Sequence, residues 1–175
     1  MPSSAVKSDR RRLARGGGRD TRRYRRGLAL TGIWLLLSVS LVGAQAMPPE
    51  DAIRRMLVSA LDNIQRAQCG GQPCAPATPA EKANPPLTIA EARLIISRAA
   101  LSAVGEHCGL DWRQQNFLPM MAYWRARHKK TERQLALVAI LHGIMQGQVQ
   151  QWFATKPACT ERDRRDVAAR LPFGP

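Results

Sequence analysis

Two boxes, Thr88-Ile89-Ala90-Glu91 and Thr131-Glu132-Arg133-Gln134, each stand directly before a long apolar run. This feature restricts the fold more than any other. In such a box the Thr side chain and the Glu or Gln three residues on each satisfy a backbone donor at a helix start. The first predicts a helix over 88–107, with Gly109 just beyond its end as a C-terminal glycine. The second predicts a helix from 131 to about Phe153. Leu135 to Leu141 is apolar nearly all round, the mark of a helix central in a core.

Other helices follow from spacing. Ile53, Met56, Leu57, Ala60, Leu61 and Ile64 share one face of a helix over 50–68, and Asp51–Arg55 and Asp62–Arg66 are acid-first i, i+4 pairs. Asp111 can cap a third helix. Pro119 is expected to interrupt it, so that a new helix starts at Pro119 and runs to about His128. Thr160-Glu161-Arg162-Asp163 opens a last short helix ending near Leu171-Pro172. Residues 69–87 hold five prolines and two glycines, and the expectation there is a linker that cannot be helical. No alternating strand pattern of useful length occurs. The fold class is therefore all-α: a small bundle of four to five helices. Its parts are an N-terminal helix and linker (47–87) and a helical core (88–175).

A different signal precedes these helices. Residues 1–26 carry nine Arg and one Lys against two Asp. An apolar stretch, Leu28 to Ala44, follows and leads into Ala44-Gln45-Ala46. A basic n-region (1–27), an apolar h-region (28–44) and an A-x-A site describe a signal peptide cleaved after Ala46. The alternative is an uncleaved membrane anchor formed by residues 28–44. The pI of about 11.1 largely reflects this leader. The expected location is the periplasm or the cell exterior, with membrane contact only through an uncleaved leader.

Cys69, Cys74, Cys108 and Cys159 all lie beyond Ala46. An even count in an exported chain favours disulfides. The expected pairs are Cys69–Cys74, across a turn-rich Cys-Gly-Gly-Gln-Pro-Cys run, and Cys108–Cys159. The second closes a loop of about 50 residues, worth about 3–4 kcal/mol in the chain-entropy model. This pairing takes precedence over Cys108 as a nucleophile served by a histidine. A lone C-x4-C has none of the zinc spacings, and there is no haem or redox cysteine motif. No metal or cofactor is expected.

Candidate sites are few. His142-Gly143-Ile144-Met145-Gln146-Gly147 opens one helix face at Gly143 and Gly147. Two glycines inside a helix cost about 1 kcal/mol each. The first reason to keep them is close approach of another helix, with His142 structural. The second is a ligand gap lined by His142 and Gln146. Arg125, Arg127, His128, Lys129, Lys130 and Arg133 form a basic surface patch beside Tyr123 and Trp124. The first reading of this patch is a solvated helix end, where basic residues suit the dipole; the second, in an exported protein, is contact with an anionic envelope component rather than nucleic acid. Paired carboxylates, G-x-S-x-G and a phosphate loop are absent, and no catalytic set stands out. The functional expectation is a non-enzymatic helical domain that binds an envelope protein or anionic envelope component. The alternative is a small exported hydrolase-like enzyme using His142 with Glu106, Asp111 or Gln146.

Overall fold

The computed structural model describes residues 47–174, so the leader, its h-region and its cleavage site lie outside the described residues. Among the described residues the chain forms six α-helices, and none is long and apolar enough to cross a membrane.

Helix α1, Glu50–Asp62, buries Ile53, Leu57, Ala60 and Leu61. Glu50 and Asp51 sit in its first turn, where negative charge suits the helix dipole, and pair with Arg54 and Arg55 at 2.7 and 2.6 Å. The helix stops six residues short of the predicted end. Asn63 leaves helical geometry and donates its amide to Ser59 O at 2.9 Å. A 3₁₀ turn, Ile64–Arg66, then brings Ile64 into the core. The expected Asp62–Arg66 pair gives way to Asp62–Lys82 at 2.5 Å.

The proline-rich stretch is more ordered than expected. Strands β1 (Gln68–Cys69) and β2 (Gln72–Pro73) pair antiparallel. Gly70 and Gly71 turn between them at φ +63° and +85°, a two-residue turn that needs positive φ twice. The Cys69–Cys74 disulfide closes this hairpin. Helix α2, Pro79–Ala83, overturns the expectation that 69–87 cannot be helical. Thr78 and Glu81 form a full capping box, and Pro79 occupies a first-turn position where its missing N–H has no helical partner to lose. The prolines bound this short helix rather than forbid it. Nor is the segment free of the core: Cys74 and Leu87 are buried in the same cluster as α1, α3 and α5.

Helix α3, Ile89–His107, starts at the predicted Thr88–Glu91 box. It ends with Gly109 at φ +67°, where Gly109 N donates to Glu106 O and Leu110 N to Gly105 O, a Schellman ending. Beyond it a π turn, Arg113–Phe117, runs straight into α4, Leu118–Ala126, so Pro119 does not break the chain's helical course. Within the wider turn Leu118 N reaches back to Arg113 O. Pro119 offers no N–H to Gln115 O, and that carbonyl accepts instead from Phe173 N at 2.9 Å. Helix α5, Glu132–Phe153, starts at the second predicted box, and α6, Glu161–Arg170, at Thr160.

Helices α3 and α5 form the central pair. Ser102 meets His142, Glu106 meets Gln146 and Gln150, and His107 stacks on Phe153. Partner numbers rise together, so the two helices run parallel. Helix α1 packs on both, α4 on α5 and α6 on α3. The Cys108–Cys159 disulfide, with Cα atoms 5.1 Å apart, joins the end of α3 to the residue before the α6 cap. Both predicted pairs are formed, and no cysteine is free.

Candidate functional site

Polar residues recur every fourth position along both central helices: Arg98, Ser102 and Glu106 on α3, and His142, Gln146 and Gln150 on α5. Residues four apart lie on one ridge, so two polar ridges face each other across an otherwise apolar interface. Ser102 and Asn116 are fully buried and His142 is 2% exposed. Ser102 Oγ lies 3.0 Å from His142 Nε2. Asn116, placed by the π turn, donates Nδ2 to Ser102 Oγ at 2.7 Å and to Arg98 O at 2.8 Å. Its Oδ1 accepts from Arg98 Nε at 2.5 Å, and the guanidinium also donates to Leu171 O at 2.5 Å. Since Asn116 donates to Ser102, the hydroxyl proton remains available to His142 Nε2.

Burial lowers the His142 pKa to about 4, and the nearby Arg98 charge acts in the same direction. The ring is therefore neutral at ordinary pH. Phe117 lies 4.9 Å from it and Trp112 6.0 Å, centroid to centroid. A serine hydroxyl 3.0 Å from an imidazole has the spacing of a nucleophile and its base. Here, however, the pair is enclosed, and no carboxylate hydrogen-bonds the ring among the described residues.

The two carboxylates of the alternative catalytic set make other hydrogen bonds. Glu106 Oε2 accepts from Gln146 Nε2 at 2.6 Å and from Gln150 Nε2, while Asp111 accepts from Gln114 N. Neither carboxylate bonds His142. The proposed ligand gap also comes apart. His142 and Gln146 turn inward to α3, whereas a Cβ added at Gly143 or Gly147 meets nothing within 4 Å. Close approach of a helix therefore does not explain these glycines. The crowded glycine of the two central helices is Gly105, where a Cβ would lie 3.0 Å from Leu171 Cδ1 and 3.4 Å from Trp112 Cβ.

The six residues of the expected basic patch are divided among separate tasks. Lys130 pairs with Glu91 at 2.6 Å in a mostly buried contact. Arg133 binds Glu81 through Nε and Nη2 at 2.7 and 2.8 Å, and donates to Ala75 O and Pro76 O, so it pins the proline-rich segment to α5. The Arg133 hydrogen bond, aided by Thr78 N–H, lowers the Glu81 pKa to about 2. Arg125 lies 3.7 Å from Glu132, and His128 Nε2 lies 2.8 Å from Tyr123 Oη. Arg127 and Lys129 stay exposed, without an ion pair among the described residues. The sequence places six basic residues together, but the tertiary fold brings Glu81 and Glu91 to two of them.

Sequence reasoning missed Arg98, Ser102 and Asn116. The available signal was the spacing of Arg98, Ser102 and Glu106 by four within an apolar helix.

An open cleft of about 250 Å³ lies at the C-terminal ends of α3 and α5, lined by Ala103, Glu106, His107, Gln150, Phe153 and Ala154. His107 Nε2 lies 2.9 Å from Pro157 O, and its ring stacks on Phe153. A second hollow, of about 230 Å³, lies between α1 and the Asn84–Ile89 segment.

Comparison with protein-family models, curated proteins and solved structures gives no significant match to this chain.

Proposed function

We propose that this chain is an exported, disulfide-stabilised helical domain that acts by binding a partner in the cell envelope. The basic, apolar, A-x-A leader supports export, and the two disulfides suit an oxidising compartment. One observation above all supports binding rather than catalysis. His142, the histidine of the alternative catalytic set, is sealed between α3 and α5 with its neighbours hydrogen-bonded to one another. A buried, satisfied network specifies packing and offers a substrate no entrance. The loss of Lys130 and Arg133 to internal ion pairs weakens the anionic component as partner and favours a protein.

The test is capture from envelope extracts by the immobilised protein, with competition by free protein. A specific, competable partner retained equally by a Ser102→Ala variant supports the reading. The Ser102–His142 contact favours a hydrolase as second reading, and a fluorophosphonate probe separates the two. Covalent labelling that disappears in Ser102→Ala contradicts the binding proposal.

A further inference from the structure

Because α3 and α5 are parallel, their C-terminal ends meet at the cleft lined by Glu106, His107, Gln150 and Phe153. Each helix leaves a partial charge of roughly −0.5 at that end. A basic residue in the last turn would offset it, yet α5 has none there, and α3 carries Glu106 next to its one basic residue, His107. Glu106 accepts both glutamine amides on Oε2, while Oε1 has no partner and the carboxylate no ion pair among the described residues. The lysine that follows α5 is turned elsewhere, with Lys156 Nζ 4.6 Å above the Trp152 ring.

Pro157 O can only accept, so the His107 nitrogen facing it carries a hydrogen, and the ring, stacked on Phe153, forms a wall of the cleft. The remaining walls, Ala103, Phe153 and Ala154, are apolar. The cleft therefore combines a pre-positioned carboxylate and two negative helix ends over an apolar floor. Its complement is a group that only donates hydrogen bonds, carried on an aliphatic chain. Ammonium and guanidinium are such groups.

We propose that this cleft binds an organic cation, an alkylammonium or alkylguanidinium group, supplied by a lysine or arginine side chain or by a free amine. A volume of about 250 Å³ suits one side-chain end rather than a larger ligand. This inference rests on the reading of the domain as a binding module and names the chemistry of one binding site.

The experiment is an NMR titration of the purified, ¹⁵N-labelled chain with n-butylammonium, n-butylguanidinium, n-butanol and calcium, reading the Gln146 and Gln150 side-chain amides. Saturable shifts with either organic cation, none with butanol, and at least tenfold weaker binding in Glu106→Gln are expected. Gln150→Lys, which supplies an internal ammonium, should also abolish the cation response while the remaining spectrum stays native; it serves if Glu106→Gln fails to fold. Blocked lysine and arginine peptides binding more tightly than putrescine identify a protein side chain as the source, and the reverse order a free amine. Equal response to butanol, no response to either cation, an undiminished response in both variants, or saturation by calcium alone overturns the proposal. Failure here with partner capture intact in Glu106→Gln removes the cleft and leaves the binding reading standing.

Discussion

Ser102 Oγ and His142 Nε2 lie 3.0 Å apart midway along the α3–α5 interface, and Asn116 ties that contact to Arg98. Removing the hydroxyl leaves the imidazole nitrogen and one Asn116 N–H facing a small void. Ser102→Ala should destabilise the domain by about 1–3 kcal/mol, the cost of buried polar groups without partners. Urea unfolding measures this, and an unchanged midpoint contradicts a structural role for the cluster.

The same histidine sets a pH dependence. Its pKa falls from 6.5 in the unfolded chain to about 4 in the fold, so the unfolded state binds the extra proton. Stability is therefore full above about pH 6.5 and declines as pH drops toward 4, by up to about 3 kcal/mol. Arg133 holds the Glu81 pKa near 2, so that carboxylate contributes its own loss only below its ordinary value of 4.5. Between pH 4.5 and 6.5, His142→Gln should flatten the slope of unfolding free energy against pH relative to the parent. Equal slopes in this window count against the sealed ring.

Glycines on the two central helices should respond with opposite signs. Space is open around Gly143 and Gly147, so alanine at either adds helix propensity without a clash, a gain of up to about 1 kcal/mol. At Gly105 the added methyl meets the fully buried Leu171 at 3.0 Å. Overpacking typically costs about 1–3 kcal/mol and should outweigh the propensity gain. Melting temperatures of the three alanine variants decide the point; a rise at Gly105 with a fall at Gly143 reverses it.

Arg133 and Arg127 belong to one basic run in sequence but differ in structure. Arg133→Ala loses Glu81 and two carbonyls of the proline-rich segment. The expected loss is about 1–2 kcal/mol, screened on the solvent side, with faster proteolysis between residues 75 and 87. Arg127→Ala should stay within about 0.5 kcal/mol of the parent. Equal behaviour of the two variants would restore the single exposed patch.

Local chemistry was the readable part of this chain. Thr88–Glu91, Thr131–Gln134 and Gly109 mark helix ends by side-chain rules that act within a few residues, and all three are realised. The Thr78–Glu81 box obeys the same rule but was hidden by its prolines, although Pro79 sits where proline is tolerated. Pro119 was misread because its compatibility with continuous helix depends on a π turn and on Phe173, 54 positions away in sequence. Tertiary partners also decided the outcome for Lys130 and Arg133. At Gly143 and Gly147 the spacing correctly indicated a shared face, but spacing alone does not say whether that face meets a helix or open space.

The most direct test of the central claim, that His142 is a sealed structural residue, is an NMR titration of its ring protons in the folded protein. A sealed ring has a pKa of about 4 and stays neutral through pH 6. A ring that titrates at or above 6.5 would be open to solvent, contradicting the buried network and bringing back His142 as a working base.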